Sequence, residues 1–473
     1  MKTSGVMEHV NVTPVLPIIN WKEMRVTVFG MGRSGQSAAD LLLDRGSNVT
    51  LVEEHPSPEV KALGANYEQR GARLCFGGNL ESVLQSAELL VVSPGVPEDH
   101  PVFQRARQQG ITVIGEIELA SWFLHAPIIA VTGTNGKSTT VRFIGSILQE
   151  SGKHVFVGGN LGLPLCEAVP KSTDLPQAAD YDYIVAEVSS FQLETIQRFK
   201  PWIAILLNVT SDHLDRHPTQ EHYQAAKRRI FENQTRQDWM VVNADDPIVK
   251  TMSLEAKARL CEFSLCHEVA QGIYLEGEII RGRLEGKADF VLDRNDIPMR
   301  GQHNVANAIA AINVGLLCGC SKEDMVRGLQ GIPTFEHALE SVRTWRGITF
   351  INDSKGTNVD ATLKALESFE EPIVLILGGK DKGGEFSRLL DAIDRGVKGI
   401  VLIGEAATRI FKSLEGSVLM IRATSLEDAV SQAVSLASSG DVVLFSPACA
   451  SFDMFQNYHQ RGLEFKRVVQ ELQ

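Results

Sequence analysis

Short runs of apolar residues, many of them β-branched, recur along this chain and are separated by longer stretches of mixed polarity. Near the N-terminus they lie at residues 25–29, 48–52, 89–92 and 112–114. Such runs, alternating with helical stretches, are typical of a parallel sheet that is covered by helices on both faces. The pattern predicts an α/β domain that follows a flexible lead-in over residues 1–22.

The same alternation starts again at residue 127 and once more after residue 331. In the second unit the later strands are predicted at 183–186, 204–207 and 240–242, short alternating segments at 272–275 and 290–292, and an alanine-rich helix at 305–317. In the third unit the strands are predicted at 348–351, 373–376, 400–403 and 442–445. The alternating segments indicate a few antiparallel strands. The chain is therefore predicted to hold three α/β domains in series.

The length of 473 residues agrees with three domains, because a single domain usually holds about 150 residues. The predicted domains span residues 1–124, 125–331 and 332–473.

Composition and charge narrow the class of protein. The net charge of −12 disfavours a long contact with nucleic acid. No apolar run approaches the ~18 residues that cross a bilayer, and the N-terminus lacks the pattern of a signal peptide. Seven cysteines without a Cys-x-x-Cys pair disfavour both a disulfide framework and a zinc ribbon. We expect a cytoplasmic, monomeric enzyme with no nucleic-acid or membrane partner.

A glycine-rich turn carries the clearest chemistry. Residues 133–139 read Gly-Thr-Asn-Gly-Lys-Ser-Thr, follow a predicted strand and open a predicted helix. The N–H groups of such a turn bind phosphate, Lys137 adds a cation, and the hydroxyl of Ser138 or Thr139 can ligate Mg²⁺. Val131 stands where the strict P-loop has its first glycine, so the match is to a variant motif. The turn predicts binding of a nucleoside triphosphate.

A second glycine-rich turn, at residues 30–35, follows the first predicted strand, and Glu53 ends the next one. This spacing fits a dinucleotide-binding fingerprint with its ribose-binding acid, which would indicate an NAD-dependent oxidoreductase. The turn can equally bind another nucleotide diphosphate, because a helix N-terminus recognises pyrophosphate and not nicotinamide. The separate triphosphate turn favours this second interpretation.

Candidate metal ligands directly follow two strands, where ligands collect in α/β sheets. Glu187 is either a Mg²⁺ ligand or a solvated acid at a strand end. His213 can join a Mg²⁺ or Mn²⁺ site when carboxylates supply the other ligands, and a zinc site through His213 and His217 is an alternative. Lys227 is either a solvated side chain or a neutral amine suited to nucleophilic or carbamate chemistry.

Three loops of the last unit, at residues 352–358, 378–383 and 446–453, each follow a predicted strand. They are polar and rich in small residues, and the first two contain lysine. Loops at successive strand ends meet at one edge of a parallel sheet, so together they predict a pocket for an anion.

Taken together, these motifs resemble those of the Mur ligases of peptidoglycan synthesis. The matching segments are 133–139, 158–160, 187–194, 212–216, 301–304, 352–355 and 446–451. The resemblance covers nearly the whole chain from Met24 onward, and the Asn-Asp-Ser-Lys loop at 352–355 favours the branch of the family that adds D-glutamate. The implied fold has a Rossmann-like N-terminal domain, a central P-loop ATP-binding α/β domain with a small antiparallel sheet, and a Rossmann-like C-terminal domain.

The resemblance implies one substrate for each domain. The N-terminal side would bind UDP-N-acetylmuramoyl-L-alanine through Ser34, Glu53, Gly95, Asn160, Ser189 and Gln192. The centre would bind ATP through Gly133, Thr134, Asn135, Gly136, Lys137, Ser138, Thr139, Asn304 and Asn307, with Asp353 contributing from the C-terminal domain. The C-terminal domain would bind D-glutamate through Lys355, Thr357, Lys382, Ser451 and Tyr458.

The resemblance also implies the chemistry. The catalytic residues would be Lys137, Glu187, His213, Lys227 and Lys355. The ligands of Mg²⁺ or Mn²⁺ would be Ser138, Glu187, His213 and a CO₂-derived carbamate on Lys227. A substrate carboxylate would attack the γ-phosphorus of ATP, and the D-glutamate amine would then displace phosphate from the acyl phosphate. Closure of three domains on hinges near residues 124 and 332 would align the reactants.

The chain departs from the family at Ala338, where an arginine is usual, and Arg343 or another cation would have to replace it. Three alternatives stay open on the sequence. One is a ligase resembling folylpolyglutamate synthase, and another is an NAD-dependent oxidoreductase, carried by residues 30–35 alone. The third is a nucleotide-binding regulatory protein without catalysis, suggested by Ala338.

Overall fold

The computed structural model describes residues 20–77, 80–160, 162–170, 181–210, 212, 216–284, 290–297, 301–331 and 336–472. Within these residues the chain forms three sheets. It divides into two compact units, Met1–Ile128 with Phe156–Pro201, and Ile129–Val155 with Trp202–Gln473. The predicted domain boundaries at 124 and 331 stay predictions.

The first sheet belongs to the first unit. Its elements are β1 Arg25–Phe29, α1 Arg33–Asp44, β2 Asn48–Glu53, α2 Pro58–Gln69, β3 Arg73–Phe76, α3 Leu80–Leu84, β4 Leu89–Val92, α4 Pro101–Gln108, β5 Thr112–Gly115 and α5 Glu116–Ser121. All strand pairs are parallel, in the order β3-β2-β1-β4-β5. The order reverses at β1, and ligands bind at such a switch point in open α/β sheets. The Rossmann-like prediction for this domain is confirmed.

The second sheet has nine strands. Its elements begin with β6 Ile128–Thr132, α6 Lys137–Glu150, β7 Val155–Gly159, β8 Tyr183–Glu187, α7 Ser190–Leu193, β9 Ile203–Leu206, α8 Gln220–Arg228, β10 Trp239–Asn243 and α9 Pro247–Ser253. They continue with β11 Arg259–Ser264, β12 Gly272–Glu276, β13 Ile279–Arg283, β14 Phe290–Asp293, α10 Gln302–Leu317 and α11 Lys322–Gln330. The strands of the second unit follow the order β14-β13-β12-β11-β10-β9-β6. The pairs β12–β13 and β13–β14 are antiparallel, which confirms the predicted small antiparallel section.

The third sheet also belongs to the second unit. Its elements are β15 Glu340–Trp345, β16 Ile348–Asn352, α12 Val359–Leu366, β17 Ile373–Gly378, α13 Leu390–Gly396, β18 Val397–Ile403, α14 Ala407–Ser413, β19 Leu419–Arg422, α15 Leu426–Leu436, β20 Val442–Phe445 and α16 Tyr458–Gln470. The order is β15-β16-β20-β17-β18-β19, parallel except for the pair β15–β16. Apolar clusters line both faces of this sheet, as a doubly covered parallel sheet requires.

Six strands were not predicted, namely β3, β7, β11, β13, β15 and β19. Three of them, β3, β15 and β19, lie at sheet edges and have no fully buried residue. An edge strand carries charged and polar side chains on exposed positions, so it lacks the apolar run by which the central strands were found.

Two buried carboxylates join separate segments of the first unit. Glu118 is fully buried and accepts from the N–H groups of residues 197–199 at 2.8–2.9 Å, and from Nε1 of Trp122 at 2.6 Å. Glu116 accepts from the N–H of Cys166 at 2.5 Å, and its Oε2 has no hydrogen-bond partner within the described residues. Burial raises the pKa of Glu116 to about 7. These contacts explain why residues 156–201 group with the N-terminal domain.

Candidate functional site

The glycine-rich turn after β6 has the backbone conformation that a phosphate-binding turn needs. Gly136 precedes α6 with a φ of +86°, and Gly133 has a φ of +155°. A Cβ atom on Gly136 would lie 2.3 Å from Oδ1 of Asn307, which is buried in α10. Glycine is therefore required here by both conformation and space. The first N–H groups of α6 have no partner within the helix and can meet an anion.

Two lysines contact this turn. Nζ of Lys137 donates to the carbonyl oxygens of Gly133 and Thr134, both at 2.9 Å. Nζ of Lys227 donates to the same Gly133 oxygen at 2.8 Å and lies 4.5 Å from the ring centroid of Tyr223. Lys227 is only 1% exposed. The fold thus brings Lys227 from α8 to the phosphate-binding turn, and the solvated-side-chain alternative is wrong.

The loop after β9 holds the turn from the other side. The N–H groups of Thr134 and Asn135 donate to the backbone oxygen and to Oδ1 of Asn208, at 2.9 and 2.8 Å. Nδ2 of Asn208 donates back to the Asn135 oxygen at 3.0 Å. Oγ1 of Thr134 lies 3.2 Å from the hydroxyl of Tyr223, whose pKa is raised by burial. Sequence reasoning pointed to His213 and to residues 212–216 in this loop, but it did not predict that Asn208 shapes the turn.

Glu187 ends β8 with a buried carboxylate. It is 3% exposed, and its Oε1 accepts from Nδ2 of Asn160 at 2.9 Å. Its Oε2 is buried and has no hydrogen-bond partner within the described residues. Gly159 has a φ of +103°, and a Cβ there would lie 2.3 Å from the backbone carbonyl oxygen of Glu187. The chain before Asn160 therefore passes close to the end of β8. A buried carboxylate oxygen without a donor fits Mg²⁺, which prefers oxygen ligands.

Ser189 and Gln192, expected to contact the UDP substrate, form the cap of the short helix α7. Oγ of Ser189 accepts from the N–H of Gln192 at 3.3 Å, and Oε1 of Gln192 accepts from the N–H of Ser189 at 3.0 Å. This reciprocal pair is a capping box. Its first function is therefore to fix the chain beside Glu187.

The N-terminal turn packs as the fingerprint predicts. A Cβ on Gly35 would lie 1.9 Å from the Gly30 oxygen, so only glycine lets α1 approach β1 this closely. Ser34 is partly exposed in the first turn of α1. Oε2 of Glu53 accepts from the N–H of Met31 at 2.9 Å, so this acid supports the turn itself. Gly95 has open space around it, as a residue that faces a substrate would.

In the C-terminal domain Asp353 and Arg461 organise the loops at the strand ends. Oδ2 of Asp353 accepts from Oγ of Ser446 at 2.6 Å, and burial raises the pKa of Asp353 to about 7. Arg461 donates to the oxygens of Ser354, Cys449 and Ala450 at 2.8–3.1 Å. Burial lowers the pKa of Arg461 to about 10. Sequence reasoning missed Arg461, because its partner Ser354 lies 107 positions away along the chain.

The predicted D-glutamate residues fall around these loops. Ser451 is 2% exposed, the N–H of Lys355 donates to the His337 oxygen at 2.9 Å, and the N–H of Thr357 donates to the Lys355 oxygen at 2.9 Å. Tyr458 begins α16, and its backbone carbonyl oxygen accepts a hydrogen bond from Oγ of Ser354 at 2.8 Å. The three predicted loops thus meet at one edge of the sheet.

The central and C-terminal domains touch beside the phosphate-binding turn. Nδ2 of Asn358 donates to Oδ2 of Asp212 at 3.1 Å and lies 3.4 Å from Oδ1 of Asn135. Nζ of Lys382 lies 3.8 Å from Oδ1 of Asp212. Asn358 also caps α12 by accepting from the N–H of Ala361 at 2.8 Å. Neither Asn358 nor Asp212 was assigned to the site from the sequence, although both stand in polar loops that follow strands.

The remaining predicted residues have mixed outcomes. Asn304 lies in the first turn of α10, near the buried Asn307. Arg343 donates to the oxygens of Val469, Gln470 and Leu472 at the end of α16, so it is engaged there and does not replace the arginine expected at Ala338. His213 lies outside the described residues.

The ring of the buried His217 lies 5.2 Å from the ring of Tyr223, measured between centroids. The zinc alternative through His213 and His217 stays a prediction, because His213 is outside the described residues. All seven cysteines are free thiols in the structure. No helix in the described ranges is long and apolar enough to span a bilayer.

Comparison with known proteins decides the family. Three family descriptions match consecutive parts of the chain: the MurD-like N-terminal domain of Mur ligases at residues 24–115, the Mur ligase middle domain at 131–315, and the glutamate ligase domain of Mur ligases at 339–449. The chain belongs to the Mur ligase family. This confirms the resemblance that the sequence motifs carried.

Individual relatives of this Mur ligase support the same conclusion. The UDP-N-acetylmuramoylalanine--D-glutamate ligase of Koribacter versatilis is 42% identical over 449 residues, which cover 95% of this chain and 97% of the relative. The enzyme of the same name from Acidobacterium capsulatum is 43% identical over 451 residues, with coverage of 95% and 96%. Among solved structures, UDP-N-acetylmuramate-alanine ligase MurC from Thermotoga maritima has a TM-score of 0.56 at 20% identity, covering 95% of this chain and 99% of its own. That likeness establishes the shared three-domain α/β fold.

Proposed function

We propose that this Mur ligase joins D-glutamate to UDP-N-acetylmuramoyl-L-alanine in an ATP-dependent reaction. The relatives that bear this activity in their names match 95% of the chain at 42–43% identity. The structural observation that carries the proposal is the phosphate-binding turn with Lys137 and Lys227 on one carbonyl oxygen, next to the C-terminal loop that holds Asn358. A site of this kind can bring a triphosphate and an amino acid together.

The proposed reaction follows from the poor reactivity of a carboxylate toward amines. The alanyl carboxylate oxygen attacks the γ-phosphorus of ATP, the bond to ADP breaks, and an acyl phosphate forms. The neutral amine of D-glutamate then attacks the acyl carbon, loses a proton, and phosphate leaves. Lys137 offsets negative charge on the transferring phosphoryl group, and the N–H groups at the start of α6 hold it in place.

Metal binding is part of the proposal. Glu187 would hold Mg²⁺ or Mn²⁺ through its Oε2, which has no hydrogen-bond partner in the part of the chain that the structure describes, together with Ser138, His213 and a carbamate on Lys227. Such an ion would neutralise charge on the phosphates. The position of Lys227 supports the carbamate, because its buried Nζ lies at the phosphate-binding turn.

Contacts between the central and C-terminal domains would protect the acyl phosphate. Asn358 and Lys382 both reach Asp212, so these loops close over the turn from the amino-acid side. Exclusion of water matters because water competes with the amine for the acyl carbon. Lys355, Thr357, Lys382, Ser451 and Tyr458 would bind D-glutamate in this arrangement, and Asp353 would face the nucleotide.

The decisive measurement is ATP-dependent phosphate release with UDP-N-acetylmuramoyl-L-alanine and a panel of amino acids. D-glutamate alone is expected to stimulate release, whereas L-glutamate, L-lysine and meso-diaminopimelate are not. Stimulation by another amino acid would contradict the proposed substrate. NADH binding without ATP turnover would favour an oxidoreductase, and ATP binding without ligation with any substrate would favour a regulatory protein. A monomeric state and a cytoplasmic location remain predictions.

The carbamate has a separate test. Lys227→Ala removes the amine, and we expect it to lower the rate of phosphate release by at least about 100-fold, since charge stabilisation at the transferring group is lost. A short carboxylic acid added to the solution is expected to restore part of the rate of this variant and none of the rate of Lys137→Ala. Equal behaviour of the two variants would contradict a carbamate on Lys227.

A further inference from the structure

Asn135 carries a side-chain amide whose hydrogen bonds are incomplete. It stands in the phosphate-binding turn, directly before Gly136 and Lys137. Its backbone is fully engaged, because its N–H donates to Oδ1 of Asn208 at 2.8 Å and its carbonyl oxygen accepts from Nδ2 of Asn208 at 3.0 Å. Its side-chain Nδ2 is buried and has no hydrogen-bond partner within the described residues. A buried amide donor without an acceptor costs free energy, so this group points to a ligand.

The orientation of this amide follows from its neighbour Asn358. Oδ1 of Asn358 accepts from the N–H of Ala361 at 2.8 Å, so Nδ2 is the atom that Asn358 turns toward the phosphate-binding turn. An amide nitrogen can only donate, and it has two hydrogens to give. Its acceptors here are Oδ2 of Asp212 at 3.1 Å and the side chain of Asn135 at 3.4 Å. Asn135 therefore presents Oδ1 to Asn358, which leaves its Nδ2 for an acceptor that the ligand must supply.

The groups around the turn select the kind of acceptor. Nζ of Lys137 lies at the carbonyl oxygens of Gly133 and Thr134, and the first N–H groups of α6 have no partner within the helix. Nδ2 of Asn135 adds another donor to this set. A ligand that meets a cation and several N–H donors together is an anion with several acceptor oxygens, and a phosphoryl group has this chemistry.

The place of Asn135 within the turn selects the terminal phosphoryl group. Asp212, which shares Nδ2 of Asn358 with Asn135, also lies 3.8 Å from Nζ of Lys382. Asn358 and Lys382 both belong to the C-terminal domain, so Asn135 occupies the side of the turn that faces the domain proposed to bind the amino acid. In the proposed reaction the γ-phosphoryl group is the part of ATP that passes into the acyl phosphate, and the amine attacks there. This group therefore belongs on the side of Asn135.

We propose that Asn135 is a catalytic residue that donates a hydrogen bond from Nδ2 to an oxygen of the γ-phosphoryl group, and that Asn358 is a positioning residue that orients this amide. The inference rests on the proposed ligase function. The hydrogen bond offsets the negative charge on the phosphoryl oxygens during transfer. Because Asn358 comes from the C-terminal domain, the donor is oriented only while that domain contacts the turn, and phosphoryl transfer depends on this contact.

Nucleotide affinity gives the first test. ADP lacks the γ-phosphoryl group, so a donor to that group stabilises bound ATP and not bound ADP. Calorimetry with Mg²⁺ measures Kd for ADP and for the β,γ-imido analogue of ATP, which resists hydrolysis. In Asn135→Ala we expect Kd for the analogue to rise at least about tenfold, because a charge-assisted hydrogen bond is lost, while Kd for ADP changes by less than about twofold. Asn135→Asp keeps the shape of the side chain, puts an oxygen in place of the donor and is expected to weaken binding of the analogue further.

Asn66→Asp is the matched control, because Asn66 is exposed in α2 and the substitution changes the charge equally. It is expected to keep both affinities. An equal loss for ADP and the analogue, an unchanged ratio of the two Kd values in both Asn135 variants, or the same loss in the control would each overturn the role of Asn135. The comparison needs no ligation. Absence of D-glutamate-stimulated phosphate release in the unchanged protein would contradict the proposed function, whereas the Kd ratio decides the role of Asn135 separately.

A double-mutant cycle tests Asn358. Asn358→Ser keeps a residue type that caps helices well and removes the amide. We expect the ratio of the analogue Kd to the ADP Kd to rise in this variant and kcat for phosphate release to fall several-fold. The double variant with Asn135→Ala is expected to be no slower than Asn135→Ala alone, because Asn358 acts through Asn135. Losses that multiply in the double variant would overturn the positioning role.

Discussion

Replacement of Gly136 by alanine tests whether the phosphate-binding turn is fixed by its backbone and by α10. Gly136 precedes α6 with a φ of +86°, and Gly152 follows the other end of the same helix with a φ of +77°. The Cβ of alanine at position 136 would lie 2.3 Å from Oδ1 of Asn307, whereas at position 152 it would meet nothing within 4 Å. Gly152→Ala is therefore a matched control for the conformational cost alone.

The expected magnitudes differ for this reason. A left-handed conformation costs an alanine about 1–2 kcal/mol, and both variants lose this amount of unfolding free energy. Gly136→Ala also forces Asn307 or the turn to move, which adds about 1–3 kcal/mol of overpacking. The loss is thus about 1–2 kcal/mol at Gly152 and about 2–5 kcal/mol at Gly136. A displacement of about 1 Å in the turn lowers kcat/KM for ATP by about 100-fold.

Urea unfolding measures the stability of both variants, and ATP-dependent phosphate release measures their kinetics. Gly152→Ala is expected to keep its kcat/KM for ATP because it lies at the far end of α6. The reasoning would be refuted by equal unfolding free energies for the two variants, or by a Gly136→Ala protein that uses ATP normally.

Three further predictions follow from buried or shared polar groups. Burial raises the pKa of Glu116 to about 7, so the folded state binds the proton of this carboxyl group more tightly than the unfolded state does. The stabilisation from this proton is complete below about pH 4.5, and the free energy of unfolding falls by on the order of 3 kcal/mol as the pH rises to 7. Glu116→Gln should flatten that part of the urea-unfolding profile, and an unchanged slope would contradict the assignment. Asn358→Asp keeps the cap of α12 but places a carboxylate against Asp212. We expect kcat/KM to fall several-fold while the free energy of unfolding stays nearly unchanged. A normal kcat/KM would show that this contact is dispensable. Arg461→Lys leaves buried carbonyl oxygens without donors and should cost about 3 kcal/mol in thermal or urea unfolding, and a loss below about 1 kcal/mol would argue against it.

The local sequence determined most of the central architecture. Strands β4, β17 and β20 consist almost entirely of buried apolar residues, and each was predicted within two residues of its observed bounds. Such strands can be predicted from sequence because both of their faces are covered, so nearly every side chain is apolar. The glycine-rich turn at 133–139 was also predicted from the sequence, because its conformation depends on glycines within the turn itself.

Tertiary structure decided what depends on residues that are distant in sequence. Lys227 looked like an ordinary helix lysine, and only the packing of α8 against the turn brings its Nζ to the Gly133 oxygen, 94 positions away. Arg461 and Ser354, which lie 107 positions apart, met for the same reason. A side chain's local pattern records whether it is buried, whereas its partner is chosen by how the sheets and helices assemble. The sequence by itself therefore determined the three α/β domains and the phosphate-binding turn, and the assembled fold decided which charged groups face that turn.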